Sequence, residues 1–192
     1  GFASHVQQIK LCGAIPRYWV LDEARGWQLD LDALPTLITP RTRAIVVVSP
    51  SNPTGAVYAL EELREIAEWA KEKDIVLIAD EIYREIYFGD DRPCAPSILE
   101  LPADSLGPYV LIDGASKCFA MTGWRIGFSY SEVELAKKIG AFQSHATSNA
   151  ATPSQMAALS AYSDLERSRE AKQGMAATFR GRRDRVVTLL NE

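Results

Sequence analysis

Cysteine and histidine are both scarce in this chain. The three cysteines, Cys12, Cys94 and Cys118, are an odd number without a C-x-x-C pair. That suits a reducing cytoplasm better than a disulfide framework. The two histidines, His5 and His145, stand far apart with no metal-ligand spacing around them, so no metal site is read and both are expected on the surface or on a helix face. No apolar run approaches the roughly 20 residues that a spanning helix needs, so no membrane partner is expected. Internal repeats and low-complexity linkers are missing, as is a basic segment followed by an apolar core near the start. Excess positive charge is missing too: 21 basic against 25 acidic residues leave a formal charge of −4. That balance offers nothing to nucleic acid or to an anionic surface.

What is present is the composition of a soluble α/β protein, 192 residues with 47% hydrophobic and 24% charged. This length supports one sizeable core with room for a second, incomplete one. The first residue is glycine, and residues 180–192 read as an uncapped helix bearing Val186, Val187, Leu189 and Leu190. Both ends are therefore expected to be cut rather than finished.

Periodicity orders the chain. Residues 2–11 predict a short helix of weak amphipathicity, and 14–21, rich in β-branched and aromatic residues, a strand. Asp30 is placed to cap a short helix running to Leu37. Residues 44–48 form a compact apolar run, the pattern of a strand buried on both faces. Pro50, Pro53 and Gly55 then end regular structure. Residues 60–73 put Leu63, Ile66, Ala67 and Ala70 on one helical face with charges opposite. Residues 75–79 are the next buried strand, ending at Asp80. Further strands are predicted at 109–112 and 126–130, and helices at 132–144, 153–162 and 165–190. Strand, amphipathic helix, buried strand is the signal of a mostly parallel sheet covered on both faces, an α/β/α sandwich. Ligands of such sheets sit at the carboxyl ends of the strands. Asn52, Asp80, Tyr83 and Lys117 all follow predicted strand ends.

Three segments carry candidate chemistry. In Ser49-Pro50-Ser51-Asn52-Pro53-Thr54-Gly55 two prolines and a glycine shape a sharp loop that presents Asn52; taken alone, it reads equally as a plain turn. Asp80 closes an apolar strand in Ile78-Ala79-Asp80-Glu81-Ile82-Tyr83. Buried there, its carboxylate needs a cation or several donors, because an unpaired one costs on the order of several kcal/mol. A helix cap or a solvated strand end is the other reading of the same residue. Gly114-Ala115-Ser116-Lys117-Cys118-Phe119-Ala120-Met121-Thr122-Gly123-Trp124-Arg125-Ile126-Gly127 is the richest stretch. It sets Lys117 among small and apolar residues, where loss of water favours the nucleophilic amine. Eight residues later comes Arg125, a guanidinium suited to a two-point grip on phosphate. A surface loop with two ordinary basic residues is the alternative, and the apolar Phe119, Met121 and Trp124 argue against it.

The Asn-Pro-x-Gly loop, the Asp-x-x-Tyr strand end and the Ser-Lys…Arg segment, in this order, resemble the fold-type-I pyridoxal-phosphate enzymes. The nearest resemblance is to the class I/II aminotransferases, in particular the bacterial aspartate aminotransferase kind. It runs along nearly all of the chain and corresponds to about the middle half of a family member. Residues 1–163 would then be part of the large cofactor-binding domain, and 164–192 a long helix leading toward a small C-terminal domain.

The resemblance implies roles. Lys117 is the residue that holds pyridoxal 5'-phosphate as an internal aldimine and then shuttles the substrate proton. Asp80 partners the pyridine nitrogen and keeps it protonated. Tyr83 and Asn52 hydrogen-bond the ring's 3-hydroxyl oxygen, and Asn52 also meets the substrate carboxylate. Ser116 and Arg125 hold the phosphate, while Pro53 and Gly55 shape their loop. A dianionic phosphate and a cationic ring nitrogen call for one basic and one acidic partner, both partly buried; Arg125 and Asp80 are expected to be that pair.

The implied activity is amino transfer from an acidic or aromatic amino acid to a 2-oxo acid such as 2-oxoglutarate, in a homodimer. Three family elements have no counterpart here: an earlier glycine-containing phosphate loop, a ring-stacking aromatic and a late substrate-binding arginine. The chain alone is therefore expected to be inactive. The same residues also fit a C–S lyase of the β-eliminating kind, or the aminotransferase-like effector domain of a transcription regulator.

Overall fold

The structure is a computed structural model and describes residues 2–192. The chain forms two compact units, the first made of residues up to Glu81 with Pro96–Leu111, the second of Ile82–Ala95 with Ile112–Glu192.

The first unit opens with α1 (Ala3–Leu11), a helix without a fully buried residue. Residues 14–21 form no strand, contrary to the sequence expectation. Ile15 and Val20 stand 79% and 77% exposed. β-Branched residues favour a strand only when a neighbour covers them and pairs the backbone, and this segment forms no ladder. Asp30 precedes a short 3-10 turn that runs into α2 (Leu34–Leu37), but its side chain makes no capping bond. Its carboxylate meets Arg25 instead, at 3.4 Å.

β1 (Ala44–Val48), α3 (Leu60–Glu72) and β2 (Val76–Asp80) follow the expected order. β1 and β2 pair in parallel, from Ala44 opposite Val76 to Val48 opposite Asp80. The four residues expected on the inner face of α3, Leu63, Ile66, Ala67 and Ala70, are the four that are buried. Glu62 starts the helix cleanly by accepting the Ala59 amide at 2.7 Å. These side chains share one core with Ile45, Val47, Leu77, Ala79, Ile98 and Leu111. β3 (Tyr109–Asp113) begins in this unit, where Leu77 donates to the Pro108 carbonyl at 2.9 Å.

The second unit continues from β3 into α4 (Ala115–Cys118), a single turn, and then a 3-10 turn at Thr122–Trp124. β4 is Phe128–Ser131, later than the expected 126–130. Arg125 explains the delay: its φ of 52° is left-handed and ends the preceding turn inside the apolar run. Helices α5 (Val133–Ala146), α6 (Thr152–Ser163) and α7 (Leu165–Asn191) complete the unit. A small core of Ala115, Met121 and Ala158 lies beside Phe119, Ile126 and Tyr162. The strand order is β1-β2-β3-β4, and the fold is α/β with a mostly parallel sheet. Among the described residues no helix is long and apolar enough to cross a membrane.

Candidate active site

In the first unit, the loop after β1 closes on itself. Gly55 donates to the Ser51 carbonyl, and Ser51 to the Ala56 carbonyl, both at 2.8 Å. Gly55 takes φ 75°, a value that costs a residue with a Cβ roughly 1–2 kcal/mol. The loop is anchored at its base, where Ser49 donates to the Asp80 carbonyl at 3.1 Å and its hydroxyl accepts the Tyr58 amide at 3.2 Å. Half-buried Asn52 is thereby held just past the end of β1, next to the end of β2.

Asp80, the last residue of β2, is 8% exposed. A carboxylate so deep must be paired. His5 of α1 supplies a partner, its Nε2 3.2 Å from Asp80 Oδ2. Phe2 lies edge-on to the imidazole, ring centroids 5.6 Å apart. His5 is the residue that the sequence reading passed over. It does lie on a helix, but the face it occupies touches the candidate site, and no local pattern announces a contact across 75 positions.

The second unit holds the remaining candidates. Tyr83 lies on the turn just after Asp80, and the Lys117 Nζ sits over its ring, 5.3 Å from the centroid. That is a cation–π distance. Lys117 is half-buried on α4, between Ala115 and Cys118, which are buried. The turn it occupies is tied to the one that carries Arg125. Thr122 Oγ1 donates to the Ser116 carbonyl, and Arg125 Nη1 to the Thr122 carbonyl, each at 3.1 Å.

Glycine makes this junction possible. A Cβ on Gly114 would lie 2.9 Å from the Gly127 Cα and 3.0 Å from the Ile126 carbonyl oxygen. The backbone entering the lysine turn and the backbone leaving the arginine turn therefore touch, which no larger residue permits.

Two expectations need correction. Arg125 is exposed rather than partly buried, and Trp124, one of the apolar neighbours that argued against a surface loop, is 47% exposed. The reason is local: Met121 and Ile126 anchor the segment in the small core, and the short turn between them carries its side chains away from it. Ala120 and Arg125, both at φ 52°, are left-handed residues without glycine's freedom. Such conformations cluster where function holds them.

A further carboxylate escaped the sequence reading although it stands directly before the lysine turn. Asp113 ends β3 and accepts the Gly114 amide at 2.7 Å. Burial pushes its carboxyl up to about 6, offset in part by the bond from Gly114, with Glu85 raising it and Lys172 and Arg84 lowering it. Near it, Lys172 of α7 pairs with Glu85 at 2.8 Å and lies over the rings of Phe119 and Tyr162, 5.4 and 5.2 Å from their centroids. Burial also raises the Cys118 thiol, which lies 3.4 Å from the Tyr162 hydroxyl.

Comparison with known proteins identifies the family. The family model described as aminotransferase class I and II matches residues 1–192. An aspartate aminotransferase of Streptomyces avermitilis is 37% identical over all of this chain and 46% of its own length. A probable aspartate/prephenate aminotransferase of Aquifex aeolicus is 36% identical over all of this chain and 48% of its own. Among solved structures, a double mutant of Thermus thermophilus aspartate aminotransferase superposes with a TM-score of 0.89 at 32% identity, covering 99% of this chain and 48% of that one. An aromatic aminotransferase from Pyrococcus horikoshii gives 0.89 at 33% identity, covering 100% and 50%. The chain thus spans about half the length of the relatives it matches. A family model that matches from end to end, relatives above 30% identity and a shared fold lead to one conclusion: this chain belongs to the class I and II aminotransferases.

Proposed function

We propose that the protein carrying this chain transfers the amino group of an acidic or aromatic amino acid to a 2-oxo acid such as 2-oxoglutarate, with pyridoxal 5'-phosphate as cofactor and as a homodimer. The observation that carries this reading is the setting of Lys117. It is half-buried on a turn at a strand's end with its Nζ over the Tyr83 ring, in a chain 37% identical to an aspartate aminotransferase.

The residues suit the cofactor chemically. A pyridine nitrogen that must stay protonated needs a fixed carboxylate, and buried Asp80, itself held by His5, is one. A phosphate needs donors and positive charge, which Ser116 and Arg125 offer on two turns joined by hydrogen bonds. Asn52 and Tyr83 are the amide and phenol for the ring's 3-hydroxyl oxygen, and Asn52 also for the substrate carboxylate. The cofactor, when bound, supplies the electron sink for the substrate's α-carbon. Lys117 Nζ holds it covalently and, as the free amine, moves the α-proton. Support for acidic and aromatic substrates comes from the relatives, which are named as aspartate, aspartate/prephenate and aromatic-amino-acid aminotransferases.

The test uses the full-length protein. Borohydride reduction followed by peptide mass spectrometry is expected to leave a pyridoxyl group on Lys117, and Lys117→Ala to abolish it together with the visible absorbance. A label on another lysine overturns the assignment. Asp80→Ala is expected to keep the label but lower turnover by at least about 100-fold, the scale of a lost electrostatic partner in a reacting centre. Near-normal turnover would remove Asp80 from its role. Assays with aspartate, tyrosine and 2-oxoglutarate define the substrate class, and pyruvate released without an amino acceptor would mark a lyase instead.

A further inference from the structure

The lysine turn is held at its entrance by one residue that the proposed chemistry does not use. Asp113 is the last residue of β3, and Gly114, whose amide it binds at 2.7 Å, is the first residue of the turn. Beyond Gly114 the turn has further holds, among them the Thr122 hydroxyl on the Ser116 carbonyl at 3.1 Å and the Cys118 thiol 3.4 Å from the Tyr162 hydroxyl. The Phe119 amide closes α4 on the Ala115 carbonyl at 3.2 Å, and the Cys118 thiol reaches the Gly114 carbonyl at 3.5 Å. On its other side Gly114 abuts Gly127 so closely that a Cβ has no room. Gly114 is thus clamped between a neighbouring backbone and a carboxylate, three residues before Lys117.

The half-buried carboxylate carries a desolvation cost, and its surroundings are mixed. Glu85 and Arg84 face it from the segment after Tyr83, Lys172 from α7, the Cys118 thiol from α4 and the Tyr162 hydroxyl from α6. Lys172 is engaged with Glu85 at 2.8 Å, and Asp113 accepts a hydrogen bond from the Gly114 amide at 2.7 Å. A charged acceptor grips an amide about twice as strongly as a neutral one.

Resting on the assignment of Lys117 above, we infer that Asp113 is a positioning residue for Lys117, whose negative charge fixes the turn from which the lysine projects. Burial brings its titration to about 6. The grip is full in neutral solution and weakens as the carboxyl takes up a proton, leaving only a neutral oxygen to accept the amide.

The test is hydrogen–deuterium exchange of the full-length holoenzyme. A peptide beginning at or before Leu111 reports the Gly114 amide, corrected for the intrinsic effect of pH. In the wild type, protection of that amide is expected to fall about fivefold from pH 8 to pH 5, the difference between a charge-assisted and a neutral bond. In Asp113→Asn, protection is expected to be flat across that range, at the level the wild type reaches at pH 5. A flat wild-type profile overturns the inference, and needs no variant. So does an Asp113→Asn profile that matches the wild type at every pH. Borohydride trapping on the same preparations keeps the two readings apart. A label on Lys117 with flat exchange sinks the role of Asp113 alone; absence of the label sinks the assignment of Lys117, and with it the positioning role.

Discussion

At the scale of single residues, two carboxylates withdrawn from water stand out, Asp80 buried and Asp113 half-buried. Asp80 and Asp113 end neighbouring strands in the sheet order, yet their partners differ in kind. Asp80 is held by an imidazole, Asp113 by a backbone amide. Removing the His5 side chain takes a donor from a carboxylate that stays buried, and His5→Ala is expected to cost about 1–3 kcal/mol in urea unfolding of the full-length protein. An unchanged midpoint would mean that other donors satisfy Asp80 fully. Asp113 acts in the opposite sense on global stability. Its carboxyl is raised from 3.8 to about 6 on folding, so its contribution is fully present below about 4 and is lost as the pH rises through about 6. Asp113→Asn is therefore expected to stabilise the protein by on the order of 1–2 kcal/mol at pH 7.5 and to change nothing at pH 4. Thermal melts at the two pH values check this.

At the scale of elements, the most legible part of the sequence is β1-α3-β2. Leu63, Ile66, Ala67 and Ala70 could be assigned to the buried face from spacing alone, because a helix against a sheet has one inner stripe and charge marks the other side. Ile66, at 1% exposure, sits at the middle of that stripe. Ile66→Ala is expected to cost about 2–5 kcal/mol through lost burial and the cavity left behind, as read by denaturant titration. Residues 14–21 show the limit of the same logic. Their composition favours a strand, but strand formation depends on a neighbour, and composition does not reveal whether one is there. The lysine turn was legible as a candidate segment and not for its construction. That Gly114 meets Gly127 is a contact between two backbone segments, and Gly114→Ala is expected to push them apart. Lower soluble yield, or loss of the borohydride label in what remains soluble, checks it; a fully labelled Gly114→Ala protein would show that the junction yields easily.

At the scale of the whole molecule, apolar surface is left over. Val133 and Phe142 on α5, Met156 and Leu159 on α6, and Val186, Val187, Leu189 and Leu190 on α7 are all at least half exposed. Side chains of this kind in such number need covering. Since the chain spans about half of its relatives' length, residues 1–192 produced alone are expected to self-associate. Light scattering coupled to gel filtration checks this, a monodisperse 21.2 kDa species being the contrary result.

The sequence by itself determined the α/β class, the buried face of α3, the two paired strands and the segments that carry Asn52, Asp80, Tyr83, Ser116, Lys117 and Arg125. All of these follow from local periodicity, turn chemistry or a contiguous motif. Only the tertiary structure decided that His5 holds Asp80, that residues 14–21 lack a strand partner and that Asp113 is half-buried with a raised carboxyl. Each of these depends on which distant segment covers a residue, and local sequence does not encode that. Burial and pairing, and with them the cost of a charge, are properties of the neighbourhood.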